Sequence, residues 1–316
     1  MILEARFYPP EGWETASFTN PDTNHRLHYG FVSPSNPSAV VVCLSGLSEF
    51  SEKYYEVAHD MLKRNYAFWI MDWQYQGRSN RLGSVPQRRH SDGFETDVSD
   101  LLKFVSYIVK TNGRPLIMIG HSMGGNIGLR FLAQHPDIFS CAAFSAPFLG
   151  IFSLSMFSKI LLRVLTPLMP LIKTRYVFGS TDWRETMRKS DGTDIFTCDP
   201  IRDKVHNYWS KQETFLQVGG PTFGWIRHAL KSCALLSRKQ VLESIQIPVL
   251  IATAGREQIV DNQAIRAAAE HIPHAQLLEI AGSRHEIFME HDEYRDVFFK
   301  AFDKMVEDNK ITGARG

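Results

Sequence analysis

The residues in this chain best suited to chemistry are Gly120-His121-Ser122-Met123-Gly124. An apolar run, Leu116-Ile117-Met118-Ile119, leads into them, and a helix-forming stretch from Ser122 to Gln134 follows. Strand, GxSxG and helix in that order make a nucleophile elbow, in which the serine occupies a sharp, strained turn and its hydroxyl projects at a sheet edge. Small residues at 120 and 124 let the neighbouring backbones come close. The start of the helix offers N–H groups to a developing oxyanion. Without that setting the motif arises by chance, and such a serine does no more than cap its own helix.

A serine hydroxyl is a poor nucleophile at neutral pH, so Ser122 requires a base, and the base requires an orienting acid. In an elbow of this kind the chain order is serine, acid, histidine. Among twelve histidines, His285 has the right placement. It follows the apolar run Gln276–Ile280 through Ala281-Gly282-Ser283-Arg284, at a strand's carboxyl end and before a terminal helix. His121 adjoins the serine and must point elsewhere, so it is expected to pack or to support. His90, His135, His271, His274 and His291 read as loop or helix-end residues. The acid should follow the strand Val249–Thr253, where Glu257 and Asp261 both stand. Glu257 is nearer the strand end and is favoured. Asp261 suits the cap of a helix over Asn262–His271. A second oxyanion donor is expected in the loop Ser45-Gly46-Leu47-Ser48-Glu49, which assigns that hole to the N–H groups of Leu47 and Met123, with Gly46 allowing the turn.

These side chains need a scaffold, and the pattern supplies one. Ala39–Leu44, Tyr66–Met71, Leu116–Ile119, Phe139–Ser145, Val249–Thr253 and Gln276–Ile280 are short apolar runs bounded by Gly, Pro or Asp. They predict buried strands of a parallel sheet. Helical patterns lie between them, at Tyr54–Arg64, Phe94–Lys110, Ser122–Gln134, Asn262–His271 and near Tyr294–Glu307. Such alternation implies a mostly parallel α/β sheet with helices on both faces. The alternation fails between about Phe148 and Leu236, which reads as helical pieces and loops. The expected division is a core of residues 1–147 and 236–316 with a mainly helical cap, 148–235. An insertion at that point would sit over the carboxyl edge of the sheet, where open α/β folds bind ligands.

Bulk properties narrow the classes. The chain has 316 residues, 44% hydrophobic and 22% charged, with a net charge of +1. No whole-protein field points to nucleic acid. Cys43, Cys141, Cys198 and Cys233 form no CxxC pair or metal-like cluster and are expected to be buried, reduced thiols. No metal or organic cofactor is called for. The first residues, Met1-Ile2-Leu3-Glu4-Ala5-Arg6, contain no apolar signal core, which points to the cytoplasm. The longest apolar stretch, Phe148–Lys173, is interrupted by Lys159, Arg163, Pro167 and Pro170 and is not expected to span a membrane.

Together these segments resemble the lysophospholipase and monoacylglycerol lipase group of α/β-hydrolases, with the greatest similarity to the bacterial lysophospholipase L2 type. The resemblance runs from about residue 15 to the end. The family loop HGxxEHxxRY appears here as Ser45-Gly46-Leu47-Ser48-Glu49-Phe50-Ser51-Glu52-Lys53-Tyr54, and DxRGxGxS as Asp72-Trp73-Gln74-Tyr75-Gln76-Gly77-Arg78-Ser79. Val218–Trp225, Glu257–Asn262 and Arg284–Glu290 are similar to segments of the bacterial lysophospholipases. Two departures stand out. Ser45 replaces the usual His of the loop, and Glu257 stands where most relatives have Asp, as it does in the bacterial lysophospholipases. The resemblance implies the α/β-hydrolase fold and ester hydrolysis of a monoacyl lipid through an acyl-enzyme.

Substrate identity is expected to lie in the cap. Residues 148–180 carry Lys159, Arg163, Lys173 and Arg175 and no acid. Ser155, Lys159 and Arg163 recur every four positions, opposite Ile160, Leu161, Val164, Leu165 and Leu168. That is a basic amphipathic helix, fit either to pack on its own protein or to lie on an anionic membrane surface. A peptidase or amidase and an acyltransferase can be built on the same residues. A non-catalytic ligand-binding protein would be expected to lack one of the serine, acid and base positions, and all three are filled.

Overall fold

The computed structural model describes residues 2–152 and 169–312. Its apolar runs form one eight-stranded sheet. In chain order the strands are β1 (Glu14–Thr19), β2 (Arg26–Val32), β3 (Ala39–Leu44), β4 (Tyr66–Met71), β5 (Leu116–His121), β6 (Cys141–Ser145), β7 (Val249–Ala254) and β8 (Ala275–Ile280). In space they run β1-β2-β4-β3-β5-β6-β7-β8. The strands from β3 onward pair in parallel. β1 and β2 pair antiparallel, and β2 joins β4 antiparallel.

The central strands β3 to β7 are buried at every position and mostly apolar, because both faces are covered. Val40, Val42, Met118 and Phe144 point into one core with helices α2 (Phe94–Lys103), α3 (Met123–Gln134), α5 (Phe223–Leu236) and α6 (Asn262–Ala269). Val41, Cys43, Ile117 and Ile119 point into the other, against α1 (Tyr55–Lys63) and α7 (Asp292–Asp308). Each such side chain, fully buried, contributes roughly 1.5–3 kcal/mol relative to an exposed one. Between β6 and β7 the chain leaves the sheet. Among the described residues, 146–248 add no strand to it and carry α4 (Asp203–Gln212) and α5. The basic helix expected around Lys159 and Arg163 lies outside the described residues. Among the described residues no helix is long and apolar enough to cross a membrane.

Several expectations change. The apolar runs do not reveal β1 and β2. β1 is almost wholly exposed, so no hydrophobic run marks it. The helix expected over Phe94–Lys110 ends at Lys103 and passes into a wider turn, in which the Val109 N–H reaches the Phe104 carbonyl at 3.0 Å. All four cysteines are free. Cys43 and Cys141 are buried, whereas Cys198 and Cys233 are half-buried.

The turn between β1 and β2 is pinned to α2 by a buried polar group. His25 Nδ1 lies 2.6 Å from Asp100 Oδ2, and Asp100 Oδ1 accepts from Asn20 and Thr23 at 2.6 and 2.7 Å. Burial opposes the imidazolium, but Asp100 and Asp92 outweigh it and raise the His25 pKa from 6.5 to about 9. In that window the folded chain holds a proton that the unfolded chain has released. Stability therefore falls as pH rises from 6.5 through 9. Urea denaturation midpoints across that range should fall for the parent protein and change less for His25→Gln. Parallel pH dependences in the two proteins would contradict this pairing.

Candidate active site

Three strand ends at one edge of the sheet set the site. β5 lies between β3 and β6, with Gly120 opposite Leu44 and His121 opposite Ser145. The chain then turns sharply at Ser122, with φ 51° and ψ −115°. A non-glycine residue held there costs roughly 1–3 kcal/mol and needs its surroundings to hold it. Ser122 N–H donates to the Ser145 carbonyl at 3.0 Å, and the Ser122 carbonyl accepts from Phe148 and Asn126 N–H at 2.9 and 3.1 Å. Gly124 is required by close approach, since a Cβ there would lie 2.2 Å from the Leu44 carbonyl oxygen.

The loops after β7 and β8 bring Glu257 and His285 to this turn. His285 Nε2 lies 3.0 Å from Ser122 Oγ, and His285 Nδ1 lies 2.8 Å from Glu257 Oε2. A carboxylate only accepts, so Nδ1 carries the proton and Nε2 is left to accept from the serine hydroxyl. The other oxygen, Glu257 Oε1, accepts N–H bonds from Gln258, Ile259 and Val260 at 3.0, 2.7 and 3.2 Å. Burial pushes the Glu257 pKa up, but His285 and these N–H groups outweigh it and hold the carboxyl below its usual range. Asp261 is committed elsewhere. Its Oδ1 accepts from Gln263 and Ala264 N–H at 2.8 and 3.4 Å and caps α6.

Leu47 and Met123 both line the cavity at Ser122. Met123 opens α3, so its N–H has no partner within the helix. Among the described residues neither its N–H nor that of Leu47 has an acceptor. Ser45 does not reach the reacting groups; its Oγ accepts from Gln76 Nε2 at 3.4 Å. Gln76 also donates to the Gly46 and Glu49 carbonyls at 2.9 and 2.8 Å and fixes the loop from within. His121 is buried, with Nδ1 3.2 Å from the Ser145 carbonyl and its ring 4.7 Å from that of His285. Burial, above all, lowers its pKa to about 4, so it is neutral.

The cavity over Ser122 holds about 360 Å³. Part of its wall is apolar, formed by Phe148, Ile151, Trp225, Ile226 and Ile259. Another part is polar and includes residues that the sequence alone did not single out: Arg188, His206, Asn207 and Glu286. Arg188 grips Glu286 with two bonds, 3.1 and 2.6 Å. Lys53 Nζ lies 2.7 Å from Glu286 and 2.6 Å from Glu49. Burial opposes both carboxylates. Arg188 and Lys53 nonetheless hold Glu286 well below its usual range, and Lys53 lowers Glu49. His206 Nδ1 and Asn207 Oδ1 are buried without partners. Burial keeps His206 neutral, with its pKa well below the usual value. Glu49, His121 and Glu286 have ligand-type atoms within 4.8 Å of one another. The Lys53 ammonium already provides a positive charge to both of these carboxylates.

Residues 35–292 match the family described as serine aminopeptidase S33 (Hydrolase_4). Lysophospholipase L2 of Escherichia coli strain K12 is 30% identical over 301 residues, covering 91% of this chain and 86% of that protein. The chain belongs to the lysophospholipase and monoacylglycerol lipase group of α/β-hydrolases. Human monoglyceride lipase is 26% identical to this hydrolase over 168 residues, 52% of each chain. A soluble variant of monoglyceride lipase from Saccharomyces cerevisiae, solved with a substrate analog, shares the hydrolase's fold. Its TM-score is 0.72 at 19% identity, over 94% of this chain and 96% of that one. The protein is a carboxylic ester hydrolase.

The two acids make a clean comparison. Glu257→Gln should lower kcat by about 10³- to 10⁴-fold, because the amide no longer enforces the imidazole tautomer. Asp261→Ala should leave kcat near the parent value and destabilise the fold by about 1 kcal/mol through loss of the helix cap. Steady-state kinetics on a p-nitrophenyl ester, with urea melts, read both. The reverse pattern would make Asp261 the acid.

Proposed function

We propose that this hydrolase cleaves the ester of a monoacyl lipid, a lysophospholipid or a monoacylglycerol, through an acyl-enzyme on Ser122. The carrying observation is the hydrogen-bonded chain Ser122–His285–Glu257, opening on a cavity with both an apolar and a polar wall. His285 takes the Ser122 proton as Oγ attacks the ester carbonyl. The Leu47 and Met123 N–H groups hold the oxyanion. His285 passes its proton to the leaving alcohol as the C–O bond breaks. It then draws a proton from water, which attacks the acyl carbon, and Ser122 departs protonated with release of the fatty acid. The acyl chain lies on Phe148, Ile151 and Trp225, and the partnerless His206 and Asn207 atoms hydrogen-bond the alcohol part. Residues 148–235 act as the cap that brings these walls to the serine.

A panel of monoacylglycerols, lysophospholipids and aminoacyl anilides, run beside Ser122→Ala, tests this reading. Monoacyl esters should turn over, and Ser122→Ala should lose about 10³-fold or more of kcat. Turnover of the anilides with no action on monoacyl lipids would overturn it in favour of a peptidase.

The same cap is proposed to touch anionic membranes through residues 148–180. Within the described part, Lys173 and Arg175 are exposed beside Leu171, 80% exposed, and Phe178, 77% exposed. Cations next to apolar tips suit a headgroup boundary. The protein should sediment with vesicles containing phosphatidylglycerol, less so at high salt and less so as Lys173→Glu/Arg175→Glu. Binding that ignores both salt and charge reversal would remove this contact.

A further inference from the structure

The four-ion cluster of Glu49, Lys53, Arg188 and Glu286 joins three parts of the chain. Glu49 and Lys53 belong to the segment after β3. Glu286 follows the base, His285. Arg188 comes from the cap. Its guanidinium is buried, bonds both Glu286 oxygens and lies 3.9 Å from the centre of the Phe196 ring. Glu286 binds Lys53, Lys53 binds Glu49, and Glu49 Oε2 accepts from Gly46 N–H and Tyr54 Oη at 2.5 Å each. Gly46 precedes Leu47, which lines the cavity. An unbroken polar chain therefore runs from the cap to the loop that holds the oxyanion.

The backbone around the base is tied to the same stretch of cap. Glu286 N–H donates to the Phe196 carbonyl at 2.8 Å. Arg284 Nη1 donates to the Gly192, Asp194 and Thr197 carbonyls. Thr197 Oγ1 donates to the Met289 carbonyl at 2.7 Å. Residues 188–198 thus wrap the loop that carries His285.

We infer that Arg188 is a positioning residue for hydrolysis: the cap's guanidinium fixes Glu286, and through it both the base loop and the oxyanion loop, so the reacting geometry is complete only with 188–198 seated. The inference rests on the proposed Ser122–His285 mechanism and adds that the cap is a working part of it. Charge balance gives it a signature. The cluster holds two carboxylates, Glu49 and Glu286, and two cations, Lys53 and Arg188. The other titratable groups facing His285 are Glu257 and the neutral His121, with neutral His206 beyond them. Removing Arg188 leaves Glu49 and Glu286 sharing one cation, Lys53, and so one net negative charge next to the base, which favours its protonated form. Removing the charge of Glu286 leaves a positive excess with the opposite effect.

The experiment is a pH–rate profile of kcat and KM on p-nitrophenyl butyrate for the parent protein, Arg188→Met, Glu286→Gln, the double variant and Arg188→Lys. Arg188→Met should lower kcat about tenfold or more with little change in KM, as expected for misplaced reacting groups. Its acid limb should move to higher pH by roughly half a unit or more, and that of Glu286→Gln to lower pH. The double variant should bring the limb back to its parent position. Arg188→Lys should restore the limb but only part of kcat, since an ammonium lacks the two-pronged geometry. Should Arg188→Met fail to fold, the Glu286→Gln and Arg188→Lys profiles carry the test. Acid limbs that stay together, or a KM effect with kcat intact, would overturn the inference. Fluorophosphonate labelling separates the two layers. A parent protein that does not label at Ser122 defeats the mechanism itself. A parent that labels, with Arg188→Met labelling equally fast, defeats only the role of Arg188.

Discussion

The hydrogen bond between Ser122 Oγ and His285 Nε2 joins residues 163 positions apart and constrains most of what surrounds it. An imidazole accepts from a hydroxyl only over a few tenths of an ångström, so both groups must be placed by rigid parts. The parallel sheet does this. β5, β7 and β8 end at one edge, and Ser122, Glu257 and His285 stand in the first loops beyond those ends. The strained backbone at Ser122 is tolerated because the Ser145 carbonyl and the Phe148 and Asn126 N–H groups hold it.

Beyond the sheet edge, polar groups complete the placement that apolar packing begins. Three N–H bonds fix one oxygen of Glu257, leaving the other for His285. Gln76 and Glu49 hold the loop that bears Leu47 from two sides. Buried ion pairs of this kind add little net stability over a well-packed apolar alternative, because desolvation offsets attraction. Their value here is geometric. Each carboxylate of the cluster has directed donors, and the two cations balance the two carboxylates next to His285.

Much of this was legible in the sequence, for physical reasons that also explain what was not. Strands covered on both faces are built mainly from apolar residues, so β3 to β7 announce themselves. β1 lies at the sheet edge, where polar residues such as Glu14 and Thr15 are as good as apolar ones, and nothing marks it. Ser122 and His285 were placed by their position after strands. Glu257 and Asp261 follow the same strand; nearness to the strand end favours Glu257, and the helical pattern after Asp261 suits that residue to a cap. Their hydrogen bonds separate them, since the Asp261 carboxylate is taken up by the start of α6. Arg188, His206 and Asn207 gave no signal, because the sequence between about Phe148 and Leu236 has no strand-and-helix period to locate them. They join the site only through a fold that returns a distant segment to Glu286.

Hydrolysis by the proposed route requires that Ser122 become acylated. Stopped-flow mixing with excess p-nitrophenyl acetate measures it most directly. The native protein should give a burst of p-nitrophenol stoichiometric with the protein, absent in Ser122→Ala, and carry an acetyl group on the peptide containing Ser122. Hydrolysis by the native protein with no acyl group on Ser122, at a rate unchanged in Ser122→Ala, would contradict it.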